Sequence, residues 1–194
     1  WKFSFENLSL LCGYGLLGWS PDTVRILARS LTLASLTTLF CILLAFPLAF
    51  FIAGRPPRRR YVWLALIAIP MLTNVVIRTY AWFPLLGTHS ALTGLLRTLG
   101  LLAEDQSLYP GSIAVYLGMV STSLPFAVLP LYAAVERLDW SLLEAARDLY
   151  ARPWTVFRHA VLPQLKTALA VAVVLTFVPS LGAFVIPDLL GGAR

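Results

Sequence analysis

The chain has 194 residues, of which 59% are hydrophobic and 12% are charged, and its mean hydropathy is +0.80. Soluble domains carry roughly 25% charged residues, so this composition excludes an ordinary soluble domain and predicts a membrane protein. The net charge of +6 does not indicate nucleic-acid binding, because the arginines cluster beside apolar runs, as the positive-inside bias predicts. Thirteen prolines and twelve glycines predict interrupted helices, which are typical of proteins that move solutes.

Four apolar runs are long enough to cross a hydrocarbon core of roughly 30 Å. They are Ser30–Ala53, 61–86, Gly111–Val135 and Thr167–Ile186. The second run contains Arg78, which we expect to snorkel or to pair with an acid, and Pro70 and Pro84, which we expect to bend it. The sequence therefore predicts an all-α, polytopic membrane protein with four spans.

The segments outside these runs are less informative. Residues 1–23 mix aromatic residues with glycines, which favours an interfacial segment, with an ordinary loop and a short helix as the alternative. We expect a short surface helix at 92–102. Cys41 lies inside the first run, so we expect no disulfide with Cys12. Because the sequence starts at Trp1 rather than Met, we interpret it as a piece of a longer protein.

Basic residues orient the spans. Nine arginines and lysines lie in the loop 54–60 and in the segment 136–166, whereas five lie on the opposite side. Both basic segments are therefore predicted to be cytoplasmic, and the loop 87–110 to be outside. The predicted units are an outer segment at 1–23, three spans at 24–135, a cytoplasmic segment at 136–163, and the fourth span with an outer exit at 164–194. Since the chain enters and leaves on the outside, we expect a further helix at each end and six spans in total.

No nucleotide or catalytic site is visible in the sequence. It has no G-x-x-x-x-G-K-[ST] motif, and its only lysines are Lys2 and Lys166, so it carries no P-loop. His89 and His159 have no carboxylate or cysteine partners at metal-ligand spacing. No serine or cysteine has the context of an activated nucleophile. We expect a chain that is not an enzyme and that holds no cofactor and no metal.

The segment Glu136–Pro163, here called the polar island, has 28 residues where a connector needs only a few. Ser141 and Glu144 fit a capping box, in which the serine caps a helix and the glutamate reaches back. Pro153 suits the first turn of a second helix, since its missing N–H needs no partner there. We expect Leu162 and Pro163 to turn the chain back into the membrane. The polar island is thus predicted to be a helix-turn-helix.

Each predicted helix of the polar island carries an apolar stripe. The first stripe consists of Leu142, Ala145, Ala146 and Leu149, and the second of Trp154, Phe157 and Val161. The alanines keep the first stripe shallow, so that another surface could approach it closely. Periodicity alone favours packing of both stripes on the protein's own helix ends, and docking of another protein is the alternative.

The amino-acid sequence of the polar island resembles a known motif. Residues 144–149 (EAARDL), followed by 161–163 (VLP), are similar to the EAA loop of ABC-importer permeases. These subunits carry a solute across the membrane while separate ATPase subunits supply energy. The resemblance implies the type I importer permease fold in a bacterial inner membrane, with a coupling helix that docks in a groove of the ATPase. It implies three partners: an ATPase dimer that binds ATP and Mg²⁺, a second permease subunit, and an extracytoplasmic solute-binding protein.

The resemblance assigns ATPase coupling to a set of residues in the polar island. They are Ser141, Leu142, Glu144, Ala145, Ala146, Asp148, Leu149, Tyr150, Leu162 and Pro163. Tyr150 departs from the family pattern, which has a glycine that offers the turn a positive φ; this costs another residue roughly 1 kcal/mol or more. We expect the turn to be rebuilt, or the first helix to run on. Thr167 and Ala168 replace the proline-glycine pair that usually follows.

Three further stretches, 77–82, 124–132 and 185–192, are similar to permeases for spermidine and putrescine. Permeases for iron and other small solutes share the scaffold and are the alternative. Ala183 stands where many polyamine permeases carry a glutamate. A stand-alone secondary transporter is a further alternative, but it would need membrane-embedded acids, and the four runs contain none.

A polyamine pathway needs carboxylates, aromatic faces and carbonyls freed by broken helices. The candidates are Asn74, Tyr80, Trp82, Phe184 and Asp188. For Asp188 the alternative is a helix-capping or loop carboxylate, and for Tyr80 and Trp82 it is an aromatic belt at the membrane interface.

Overall fold

The computed structural model describes residues 14–15, 18–19, 21–88, 90, 93–95, 108–148, 150 and 152–191. Within these ranges the chain is helical apart from two short antiparallel strands, β1 (Tyr14–Gly15) and β2 (Gly18–Trp19). The helices are α1 (Pro21–Ala53), α2 (Pro57–Ala68), α3 (Val75–Leu86), α4 (Ser112–Glu136), α5 (Trp140–Asp148), α6 (Pro153–Val156), α7 (Leu162–Leu181) and α8 (Val185–Gly191). A 3-10 turn (Ile69–Leu72) follows α2, and a π turn (Phe157–Val161) joins α6 to α7. The predicted all-α class is confirmed.

The centre of the fold is formed by α1, α4 and α7, which pack against one another. Small side chains fill their contacts: Cys41, Ala45, Ala49, Ala127 and Ala172 are fully buried. Small residues let helix backbones approach closely. In a bilayer this close van der Waals packing drives helix association, because lipid tails are as apolar as the side chains and the hydrophobic effect between helices is lost. The hydroxyls of Ser123 on α4 and Ser180 on α7 lie 3.4 Å apart and add a buried polar contact.

Among the described residues, three helices are long and apolar enough to cross a membrane. They are 24–53, α4, and the continuous helix 153–181 formed by α6, the π turn and α7. The pair 57–72 and 75–86 is a fourth candidate if it is counted as one span. Leu39, Leu43, Val174 and Val178 are exposed on the outer faces of these helices, where lipid tails can cover them. The structure thus holds up to the predicted four spans.

The second run is strongly bent next to Pro70, as predicted, whereas Pro84 does not interrupt its helix. Its two pieces differ in direction by 101°. Pro70 lies in the 3-10 turn, Thr73 is extended, and α3 starts afresh, whereas Pro84 lies inside α3 without ending it. Arg78 spans the break, since its Nη2 donates to the Thr73 carbonyl at 3.1 Å. In the part of the chain that the structure describes, no acid pairs with Arg78.

The fourth span starts earlier than the predicted Thr167. Its helix begins at Pro153, inside the polar island, and runs without interruption to Leu181. The predicted turn at Leu162 and Pro163 is therefore wrong. Pro163 is tolerated because it lies directly after the π turn, where the regular i→i−4 hydrogen-bond ladder is already shifted.

The last helix, α8, folds back against α4 and α3. Ile186 and Leu190 of α8 are buried there, and the Leu190 carbonyl accepts from the N–H of Gly111 at 3.2 Å. Gly118 of α4 permits the approach: a Cβ at this position would lie 2.5 Å from Leu190 Cδ1 and 3.0 Å from Ile186 Cγ2.

Two predictions fall mainly outside the described residues. They are the interfacial segment at 1–23, of which only the two strands and 21–23 are described, and the surface helix at 92–102, of which 93–95 are helical.

Gly118→Ala is expected to lower the free energy of unfolding by about 1–3 kcal/mol, because the added methyl group overpacks the contact between α4 and α8. Gly182→Ala is the matched control, since a Cβ there would meet only the Pro179 carbonyl, at 3.9 Å. Thermal unfolding of the protein in lipid nanodiscs measures both. Equal midpoints for the two variants would contradict the close contact.

Candidate functional site

The start of α5 is capped by Asp139. Its Oδ1 accepts from the Ser141 N–H at 3.0 Å and from the Ser141 hydroxyl at 2.6 Å. The predicted capping box of Ser141 and Glu144 is therefore wrong: the Ser141 hydroxyl donates instead of capping, and its N–H is already taken by Asp139. An Asp directly before the helix was the signal for this cap. Both bonds from Ser141 favour the charged carboxylate and hold the pKa of Asp139 below its ordinary value.

Gln164 ties the two arms of the polar island together. Its Oε1 accepts from the Asp139 N–H at 3.2 Å, and its Nε2 donates to the Ala160 carbonyl at 2.8 Å. One side-chain amide thus fixes the start of α5 against the π turn. Sequence reasoning missed this residue, since a lone glutamine after a proline carries no motif signal.

The two faces of α5 have different surroundings. Ala146 is half-buried and packs against the buried cluster that includes Val156 and Val161, at the start of the helix 153–181. Leu142 is 52% exposed, and Ala145 is exposed beside Glu144 and Asp148. The side chain of Leu149 lies outside the described part of the chain. The described part of the first apolar stripe is therefore left largely uncovered by the protein's own helices.

The turn after α5 keeps the left-handed geometry that the family pattern assigns to glycine. Tyr150 has a φ of 54°. Of the two expectations, a rebuilt turn or a helix that runs on, neither holds, because α5 ends at Asp148 and the turn is kept. The Tyr150 side chain is 96% exposed.

The second apolar stripe packs on the protein itself, except at its start. Val161 is buried, and the Phe157 ring lies edge-on to Phe46 of α1 with centroids 5.6 Å apart. Trp154 stacks on Phe157 at 5.6 Å but stays 70% exposed. Val156, which the predicted stripe omitted, is buried. The second stripe thus packs mainly on the protein's own helices, as periodicity favoured. The described part of the first stripe is instead largely exposed.

A salt bridge fixes the root of the polar island. Arg60 Nη1 lies 3.1 Å from Glu136 Oε1, and Arg60 Nε donates to the Arg55 carbonyl at 2.6 Å. Both groups are partly exposed, so the pair contributes little energy by itself. Its importance is positional: it joins the basic loop 54–60 to the start of the polar island and places both basic segments at the same end of the molecule.

A cavity of about 510 Å³ opens at the opposite end. Among the described residues that line it, Arg29 and Asp188 carry charge. Phe184, which is 76% exposed, lies on its rim. A second cavity of about 200 Å³ continues between α4 and the end of α7, and shares Ser180 and Ala183 with the first.

Only two of the five predicted pathway residues, Phe184 and Asp188, line this cavity. Asn74 caps α3 instead, with Oδ1 accepting from the Val76 N–H at 2.8 Å. Tyr80 is exposed and lies edge-on to Phe83, and Trp82 packs against the cluster around Leu86. Asn74, Tyr80 and Trp82 therefore do not line the cavity with Phe184 and Asp188, although α3 packs against α8. The described residues also hold no cluster of three or more His, Cys, Asp and Glu suited to a metal.

Residues 45–194 match the family described as binding-protein-dependent transport system inner membrane component. The chain belongs to this family. It is 36% identical over 176 residues to the spermidine/putrescine transport system permease protein PotB of Haemophilus influenzae, covering 91% of this chain and 62% of that protein. It is 37% identical over 174 residues to PotB of Escherichia coli strain K12, with 90% and 63% covered. The molybdenum transport system permease protein ModB of Azotobacter vinelandii is 30% identical over 174 residues, with 89% and 75% covered.

Membership of this family confirms the resemblance to ABC-importer permeases and the predicted inner-membrane location. The relatives are transport permease proteins, in agreement with a chain that is not an enzyme. The chain spans about three fifths of the length of the two PotB proteins.

The Asp139 cap should depend on pH in a defined direction. A carboxylate whose pKa is lowered by folding stabilises the folded state above its unfolded-state pKa, and this contribution is lost as pH falls through the folded-state pKa. We expect α5 amides to exchange faster in acid, relative to intrinsic rates, in the parent protein. Asp139→Asn keeps a cap without the pH dependence, and Asp139→Ala removes both. Hydrogen exchange that responds to acid equally in all three would refute the cap.

Proposed function

We propose that this chain forms the membrane-spanning part of a permease subunit in an ATP-driven importer, and that α5 docks on a separate ATPase subunit. The observation that carries the proposal is the uncovered face of α5. Leu142 and Ala145 are exposed next to acids, while Ala146 anchors the same helix to the bundle. An amphipathic helix held in place with its apolar positions uncovered is suited to binding in a groove of another protein. The motif at 144–149 supports an ATPase as that protein.

The sequence contains no P-loop, and we therefore assign ATP hydrolysis to a separate subunit. The proposed partners are an ATPase dimer that holds ATP and Mg²⁺, a second permease subunit, and an extracytoplasmic binding protein that delivers the solute. In this cycle, closure of the ATPase dimer moves the polar island, and the pathway alternates between its inner and outer openings.

A single helix connects the docking face with the cavity. The helix 153–181 has 29 residues, which corresponds to about 43 Å at 1.5 Å per residue. It starts beside the exposed Trp154 in the polar island, and its last residues, Ser180 and Leu181, line the cavity. A displacement of the polar island can therefore reach the cavity through one continuous helix, without passing through a loop.

Cross-linking tests the docking face. In a background with Cys12 and Cys41 replaced by alanine, Ala145→Cys should cross-link to the ATPase subunit of the assembled transporter, because Ala145 is exposed on the proposed contact. Ala145 suits this purpose better than Ala146, which faces the core. Mass spectrometry of the cross-linked band identifies the partner.

Thr88→Cys provides the matched control, since Thr88 is exposed at the opposite end of the molecule. A band with the ATPase subunit from both cysteines, or from neither, would count against docking through α5.

For the solute we propose a polyamine such as spermidine or putrescine. The cavity combines the Asp188 carboxylate with the exposed Phe184 ring, a pairing that can bind an ammonium group by charge and by cation–π attraction. The relation to the two PotB proteins supports this assignment. Arg29 in the same cavity opposes it, and a permease for another small solute is the second candidate.

Neutralising each of the two cavity charges in turn distinguishes a polyamine from an anionic solute. For a polyamine, Asp188→Asn should raise the half-saturating spermidine concentration of binding-protein-dependent ATP hydrolysis several-fold, because an attractive charge is lost. Arg29→Gln, its counterpart in the same cavity, should leave this concentration unchanged or lower it. For an anionic solute, Arg29→Gln rather than Asp188→Asn would raise the half-saturating concentration of that solute. If spermidine has no effect on ATP hydrolysis by the parent transporter, the polyamine assignment is wrong.

A further inference from the structure

Two properties of Tyr150 oppose each other. Its φ of 54° places a residue with a Cβ in the left-handed region, which costs roughly 1 kcal/mol or more. Its side chain is 96% exposed, so packing within the chain does not offset that cost. Glycine or asparagine would adopt the same turn with less strain. The folded chain by itself therefore gives no reason for a tyrosine here.

The position of Tyr150 in the chain gives a reason for the tyrosine. It lies two residues after the end of α5, whose Leu142 and Ala145 form the exposed face proposed to dock. It precedes Trp154, which is also exposed and is held in place by stacking on Phe157. Tyr150 thus lies in the chain between two exposed apolar groups carried by anchored helices.

We propose that Tyr150 is an anchor residue for the ATPase subunit, its ring entering an apolar pocket beside the groove that receives α5. This inference rests on the proposed docking function and deepens it. A tyrosine offers a large rigid surface with few rotatable bonds, and buried tyrosines are enriched among the residues that dominate interface affinity. The left-handed turn fixes the backbone from which the ring projects, which lowers the entropy lost on binding. A permease with glycine at this place lacks the contact, so Tyr150 also contributes to the choice of ATPase.

The test separates strain from binding. Tyr150→Gly, Tyr150→Asn and Tyr150→Phe are made in the complete permease pair in lipid nanodiscs, and binding of the purified ATPase subunit from the same transporter is titrated. Thermal midpoints are recorded on the same samples. We expect the Gly and Asn variants to keep or raise the midpoint, because backbone strain is relieved, while their affinity falls at least about ten-fold. Tyr150→Phe should keep affinity within about three-fold.

Tyr61→Ala is the matched control, since Tyr61 is 73% exposed at the same end of the molecule but outside the polar island; its affinity should not change. Leu142→Arg tests the docking face independently and should abolish binding. Affinities of the Gly and Asn variants within about two-fold of the parent would overturn the anchor while Leu142→Arg still supports docking. A fall in midpoint together with affinity would also overturn it, because Tyr150 would then act through the fold. Unchanged binding by Leu142→Arg would instead overturn the docking function itself.

Discussion

The close approach of α1, α4 and α7 is the constraint on which the rest of the structure depends. Ala45, Ala49, Ala127 and Ala172 are buried without remaining exposure, and a larger side chain at any of them would separate the helices. Both functional ends are attached to this centre. Ala146 and Phe157 fix the polar island to it at one end, and Ser180 joins α4 and α7 beside the cavity at the other.

The distribution of rigid and broken segments follows from this arrangement. The helix 153–181 is continuous from the polar island to the cavity, whereas the chain is broken around Asn74 and again at 182–184. In the proposed cycle, a movement that enters at the polar island would reach the break before α8, where Phe184 and Asp188 lie. The salt bridge of Arg60 with Glu136 ties the same end to the basic loop. Movement of the polar island must carry that loop with it or break the pair.

The two ends use charge differently. At the polar island, Asp139 is satisfied by Ser141 and holds a helix end in place, so its role is structural. In the cavity, Arg29 and Asp188 face the same space with opposite charge. A site with both signs can be tuned toward cations or anions by small changes, which fits a family whose relatives include permeases named for spermidine/putrescine and for molybdenum.

Some features of this protein follow from local sequence alone. Long apolar runs predict the spans because a bilayer requires about 20 apolar residues per helix, and the EAARDL stretch indicates the family through its literal residues. The turn at position 150 does not belong to these features: the tyrosine predicted a rebuilt turn or a longer helix, and the structure keeps the left-handed turn.

Other features were decided only by the tertiary structure. Sequence placed a turn at Leu162 and Pro163, yet the helix continues, because the π turn directly before Pro163 already shifts the hydrogen-bond ladder that a proline would interrupt. Sequence placed the cap on Ser141, yet Asp139 and the distant Gln164 hold that helix start. Asn74 and Asp188 are both polar residues beside apolar runs, and only the packing of α8 on α4 puts Asp188 in a cavity while Asn74 caps α3. Periodicity assigns residues to faces of helices, but which face stays uncovered depends on neighbours that are far apart in the chain.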